Sequence, residues 1–144
     1  MRLFFVLGCL LVCGCGKPST VAQVQGRILL DGQPLLIEQN DDLEQGMVMV
    51  ELIPQDSQGK LQQSEMAIYD DRDGSFAMPG TNGDGIPPGN YKIVVQQLRS
   101  YADLGSDQLK GKFSAKRTPL SCRVNLDEEN TVDIELSDFM NDKS

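Results

Sequence analysis

The run Gly89-Asn90-Tyr91-Lys92-Ile93-Val94-Val95-Gln96 decides the fold class of this chain. Tyr91, Ile93 and Val95 alternate with Lys92, Val94 and Gln96. Successive side chains of a strand point to opposite faces, so this period of two collects the first set on one face. Pro87-Pro88-Gly89 before the run is ordinary entry geometry for a strand. The same pattern recurs outward from this point. Val24, Ile28 and Leu30 belong to a run ended by Asp31-Gly32, and Val48, Val50 and Leu52 to a second that ends at Pro54. Met66 and Ile68 mark a third, up to Tyr69. Asp70-Asp71-Arg72-Asp73-Gly74 then turns into a short fourth run with Phe76 and Met78. Leu120, Cys122, Val124 and Leu126 form the next run after Tyr91–Val95, and Val132, Ile134 and Leu136 the last. No long helical pattern interrupts them. Seven short alternating strands with Gly/Pro turns predict an all-β chain folded as a two-sheet sandwich over residues 21–136. Tyr91, Ile93, Val95, Leu120, Val124 and Ile134 are expected between its sheets. Residues 137–144 read as a polar C-terminal tail that frays.

The N-terminus has a different character. Leu3 to Val12 is an apolar run behind Arg2, too short to span a bilayer, which takes about 20 apolar residues. It has the length of a signal-peptide core. The small residue Gly14 precedes Cys15, and the polar stretch Gly16-Lys17-Pro18-Ser19-Thr20 follows. That arrangement resembles a bacterial lipoprotein signal with its lipobox: residues 1–14 removed, Cys15 lipidated, and 15–20 left as a short tether. Bulky Val12 makes Cys13 a poorer acceptor, and Cys9 leaves too short a core. The other reading is an ordinary cleaved signal with Cys15 incidental. Acyl chains contribute about 0.8 kcal/mol per buried CH₂, and more than one is needed for stable anchoring. A lipoprotein cysteine carries several, so the expected location is the bacterial cell envelope, membrane-anchored and periplasm-facing. Gly16, rather than Asp, after Cys15 leaves the outer membrane open.

Composition excludes several classes. Removal of residues 1–14 leaves 130 of the 144 residues, one domain's worth. Arg2 leaves with them, so 12 basic side chains stand against 21 acidic, a net charge of −9. Such a chain does not bind nucleic acid by bulk electrostatics. With Cys15 acylated, Cys122 is the one remaining thiol, so no intramolecular disulfide forms. The chain has no His and no Trp. The first absence removes serine triads, Cys-His dyads and common zinc ligation. The second argues against sugar stacking, although Tyr69, Tyr91 and Tyr101 remain.

Several segments occur in a fixed order: Val24-Gln25-Gly26-Arg27-Ile28, Asp31-Gly32-Gln33-Pro34-Leu35, Asp71-Arg72-Asp73-Gly74-Ser75-Phe76, Gly85-Ile86-Pro87-Pro88-Gly89-Asn90-Tyr91, Lys112-Phe113-Ser114 and Thr118-Pro119-Leu120. Behind a lipobox, this set resembles the small lipoproteins of planctomycete bacteria, whose body is a carboxypeptidase regulatory-like, or transthyretin-like, domain. The resemblance covers nearly all of the mature chain. It implies a seven-stranded prealbumin-like (Ig-like) Greek-key sandwich at the cell envelope and implies no activity. The acidic stretch from Glu38 to Gly46 departs from it, since relatives pass quickly to the second strand.

Four constellations bear on chemistry. Asp71 and Asp73, with Asp70 adjacent, have the spacing of a calcium loop but lack the later glutamate of an EF-hand. A tight turn, for which Asp and Gly are suited, is the alternative. Asn82-Gly83-Asp84-Gly85 offers backbone amides to an anion, but no helix follows as a phosphate loop requires. The long connection from Leu98 to Thr118 carries Lys110, Lys112, Lys116 and Arg117, which either dock an acidic partner or an envelope polysaccharide or are solvated surface. Cys122 falls on the inward register, where cysteine acts as a small hydrophobe, with Arg123 on the opposite face. The expected function is a non-enzymatic, lipid-anchored envelope module for protein–protein or surface contacts, with no cofactor. The alternative is a polysaccharide- or calcium-binding module. The transthyretin-like hydrolases lean on catalytic histidines, which this chain lacks.

Overall fold

A computed structural model describes residues 20–37, 45–103 and 105–140. Cys15 and the signal before it, and the acidic segment 38–44, lie outside the described residues. The elements run β1 (Val24–Leu30), β2 (Gln33–Pro34), β3 (Met47–Gln55), β4 (Glu65–Met66), β5 (Ile68–Tyr69), β6 (Ser75–Met78), β7 (Gly89–Leu98), β8 (Ser121–Val124), β9 (Asn130–Glu135) and α1 (Ser137–Met140). The strands form two sheets that close on one shared core, so the chain is an all-β sandwich.

Strand β1 is the centre of the first sheet. One edge carries β9 in parallel, from Val24 opposite Asn130 to Leu29 opposite Glu135. The other edge carries β6 along Val24–Arg27 and β2 farther on, both antiparallel. Strand β5 lies outside β6. The second sheet runs β4-β3-β7-β8 and is antiparallel throughout. Its spine is the long β3–β7 pair, Met47 opposite Leu98 through Gln55 opposite Asn90.

The described residues hold nine strands where seven were expected, for two local reasons. Asp31 and Gly32 both have positive φ, 53° and 73°, the backbone of a tight two-residue hairpin turn. That turn folds Gln33-Pro34 back onto Leu29-Leu30 as β2. The run ending at Tyr69 also divides. Glu65-Met66 pairs with β3 and Ile68-Tyr69 with β6, so the chain passes from one sheet to the other at Ala67. The Ala67 N–H donates to the Val50 carbonyl at 2.9 Å at the crossing. Met66 and Ile68 therefore face solvent, while Ala67 and Tyr69 pack against the core.

Most of the expected core is in place. Tyr91, Ile93, Val95, Leu120 and Val124 are buried with Val24, Ile28, Val50, Leu52, Phe76 and Met78. Ile134 is the exception, half-buried because β9 lies at a sheet edge. Leu136, just past it, is fully buried. The tail expected to fray begins with the single turn α1, whose Phe139 packs on the core. Gly26 stands where β1 and β9 approach most closely: a Cβ there falls 1.8 Å from the Val132 carbonyl oxygen. A residue with a side chain has no room.

The connection from Leu98 to Thr118 is not a plain surface loop. Strand β8 covers only one end of β7, and this connection covers the rest. The Val95 N–H donates to the Phe113 carbonyl at 3.2 Å, and the Gln108 N–H to the Gln97 carbonyl at 2.8 Å. Asp107 accepts from the N–H groups of Gln97, Leu109 and Gly111 through its carboxylate. Thr118 donates its hydroxyl to the Ile93 carbonyl at 2.7 Å and accepts from the Leu120 N–H at 3.2 Å. Phe113, fully buried, is the side chain that seats the connection.

Candidate functional site

The Asp-rich stretch closes the β5–β6 turn. Asp70 N–H donates to the Ser75 carbonyl and Gly74 N–H to the Asp70 carbonyl, at 2.8 and 2.9 Å. The Asp70 carboxylate pairs with the guanidinium of Arg72, which holds Asp70 down to about 2 and raises Arg72. Asp73 Oδ1 accepts from the Ser75 N–H at 2.9 Å, and the Ser75 side chain first and this backbone bond second lower Asp73 as well. The carboxylates of Asp70 and Asp73 are thus occupied with their own turn, and Asp71 stands beside them. Among the described residues no group of three or more His, Cys, Asp or Glu side chains is placed to hold a metal ion.

The other sequence candidates are scattered. Asn82-Gly83-Asp84-Gly85 forms a loop beside the bridge between Ala22 and Ile86. Lys112 donates its ammonium to the Met140 carbonyl at 2.8 Å, so it braces α1, while Lys110, Lys116 and Arg117 are exposed. Of the three tyrosines, only Tyr101 offers an open ring, 73% exposed. The Tyr69 hydroxyl accepts from the Leu35 N–H and donates to the Leu35 carbonyl, and the Tyr91 hydroxyl donates to the Pro87 carbonyl. Burial raises both phenols. Cys122 is half-buried rather than buried, and desolvation pushes its thiol up to about 11. Such a thiol is a poor nucleophile.

The feature that sequence reading missed is the side of the sandwich where β8 and β9 lie. These two strands are the edges of opposite sheets, joined by the turn 125–129. Between them runs a groove of about 690 Å³. Its wall includes half-buried Val132, Ile134 and Phe139 together with Cys122. Five acidic residues, Glu128, Glu129, Asp133, Glu135 and Asp138, are among those along it, against the single basic residue Arg123. One end is closed by Asn130, whose side chain accepts from Asn125 N–H and donates to the carbonyls of Asn125, Glu128 and Gln23. Glu135 fastens the other end. Its carboxylate accepts from Asp31 N–H, Gly32 N–H and both the N–H and hydroxyl of Ser137. These bonds lower its pKa, that from the Ser137 side chain most. The sequence signal for the groove was the acid-rich turn Asp127-Glu128-Glu129 before an edge strand, which alternation alone does not single out.

Comparison with protein-family models, with curated proteins and with solved structures finds no match to this chain.

Proposed function

We propose that this chain is a non-enzymatic contact module of the bacterial cell envelope, held to a membrane through lipidated Cys15. The observation that carries the contact reading is the filled interior: the sheets interdigitate apolar side chains throughout. What remains for recognition is the surface, its strand edges and its grooves. The absence of histidine from the whole sequence supports the non-enzymatic part. The anchor rests on Gly14-Cys15 behind its apolar core.

The proposal extends to family. Sheet neighbours distant in sequence, with antiparallel β3 beside β7 and parallel β1 beside β9, are long-range connections of the kind such a body requires. Together with the ordered turn segments they support a prealbumin-like, carboxypeptidase regulatory-like body.

Cells fed labelled palmitate test the anchor. Wild type incorporates label and sediments with membranes, and Cys15→Ala loses both. A Cys15→Ala protein that stays labelled overturns it. Affinity capture from native membranes tests the contact reading, with recovery of one stoichiometric envelope partner as the expected result.

A further inference from the structure

We propose that the open edge of β9 docks an extended segment of a partner protein in which apolar and basic residues alternate. This inference rests on the contact reading and gives it a site and a partner chemistry. The backbone argument comes first. Leu136 N–H donates to the Leu29 carbonyl at 2.8 Å. In a parallel ladder, alternate residues turn both backbone groups to the same side. Asn130, Val132 and Ile134 therefore face β1, and Thr131, Asp133 and Glu135 turn their N–H and C=O groups away from it. Among the described residues, β9 pairs with no strand on that side. Across the groove, Ile93 N–H donates to the Leu120 carbonyl, which fixes the parity of β8 and turns the backbone of Ser121 and Arg123 outward too. A further strand placed about 4.8 Å from β9 completes the ladder.

The side chains specify what that strand is. On the groove side of β9, Val132 and Ile134 are half-buried, with Phe139 beside them. On the other side Thr131 and Asp133 are exposed. Directly opposed side chains on a sheet face interact, favourably when their charges are opposite. A guest strand therefore sets apolar residues against Val132 and Ile134 and a cation against Asp133. The carboxylates of Glu128, Glu129 and Asp138 add to the same field. A second copy of this chain is the poorer guest. Two β9 edges laid together bring acid to acid, and the lysine-bearing connection of another copy has its backbone committed to β7 through Phe113 and Gln108.

The test uses the intact protein in detergent micelles and a labelled heptapeptide of alternating lysine and valine. The expected result is binding that weakens with added salt, with amide hydrogen exchange slowed at Thr131, Asp133 and Glu135. The glutamate–valine counterpart does not bind. Asp133→Pro deletes one outward N–H without touching the β1 ladder, since proline is accepted on an edge whose N–H faces solvent. It weakens binding roughly tenfold, the weight of about one hydrogen bond to a charged or well-aligned partner. Asp133→Asn keeps that N–H and loses only the salt-dependent part. No lysine–valine binding, equal binding of both peptides, or exchange protection confined to other strands overturns the inference, and the last two readouts stand even if Asp133→Pro fails to fold. Equal capture of a membrane partner by wild type and Asp133→Pro sinks the groove while sparing the contact reading. Capture by neither sinks the contact reading itself.

Discussion

Asn130 Oδ1 accepts the Asn125 N–H at 2.8 Å, so one side chain closes the turn that carries the chain from the second sheet back to the first. The same amide donates to the carbonyls of Asn125 and Glu128 at 2.9 and 3.1 Å. Only 8% of Asn130 is exposed, so water does not replace these bonds when they are removed. Asn130→Ala is expected to cost about 1–3 kcal/mol in urea unfolding, the penalty for buried polar groups left unpaired. A loss within the error of the measurement contradicts that role.

Gly26 is irreplaceable for a reason of space. The nearest atoms to an added Cβ are Val132 backbone atoms, which no rotamer change moves aside. Gly26→Ala should destabilise by about 3 kcal/mol, the upper end for overpacking. Its exposed neighbour Gln25, changed to Ala, should change stability little. Similar melting temperatures for the two variants would contradict the close approach of β1 and β9.

The register of β7 has its own test. Ile93 is fully buried and Lys92 is half-exposed on the opposite face. Ile93→Ala is expected to cost about 2–5 kcal/mol and Lys92→Ala little. Phe113→Ala should cost about 3–5 kcal/mol, although Phe113 sits in no strand. A small loss at Phe113 would mean that the connection contributes little to the core.

Glu135 gives the fold a pH dependence of definite sign. Its folded pKa lies below the ordinary 4.5, because bonds from Ser137, Gly32 and Asp31 favour the charged form. The unfolded chain therefore takes up the proton first as pH falls. The stabilisation is complete above the ordinary value and is lost as pH falls through the lower folded value. Glu135 is largely solvated, so solvent screening keeps the effect small. Unfolding midpoints measured downward from neutral pH should fall less steeply for Glu135→Gln than for wild type. Parallel curves would remove Glu135 as a contributor.

Alternation made the two sheets legible because burial on one face imposes a period of two, and Tyr91-Ile93-Val95 and Leu120-Val124 carry it openly. It misled at Met66 and Ile68, where the apolar set faces out. There the chain changes sheets within five residues, Glu65–Tyr69, and the period marks neither face reliably. The alternation of β9 places Ile134 inside, but a strand's own pattern does not say that it is an edge, and Ile134 is half-buried. The burial of Phe113 is not legible from alternation, because a side chain in an irregular connection has no period to betray it. The groove escaped for a related reason: it arises from the meeting of β8 and β9, and backbone direction at an edge is set by which neighbour is missing.

The parallel course of β1 and β9 also defines the two ends of the sandwich. Val24 lies level with Asn130, so the sandwich's entry and its turn 125–129 share one end, whereas Leu29 lies level with Glu135 and the C-terminal turn leaves from the other. Were Cys15 acylated as proposed, the chain from there to Val21 would span at most about 20 Å. On that proposal the end bearing Val24 and the acidic turn would rest near the lipid headgroups, with Leu29 and Glu135 at the far end. A reporter fused after the C-terminus would report on the space beyond the bilayer surface. The β8–β9 groove would stand upright like a slot in a post, open along its height to a strand arriving from the side.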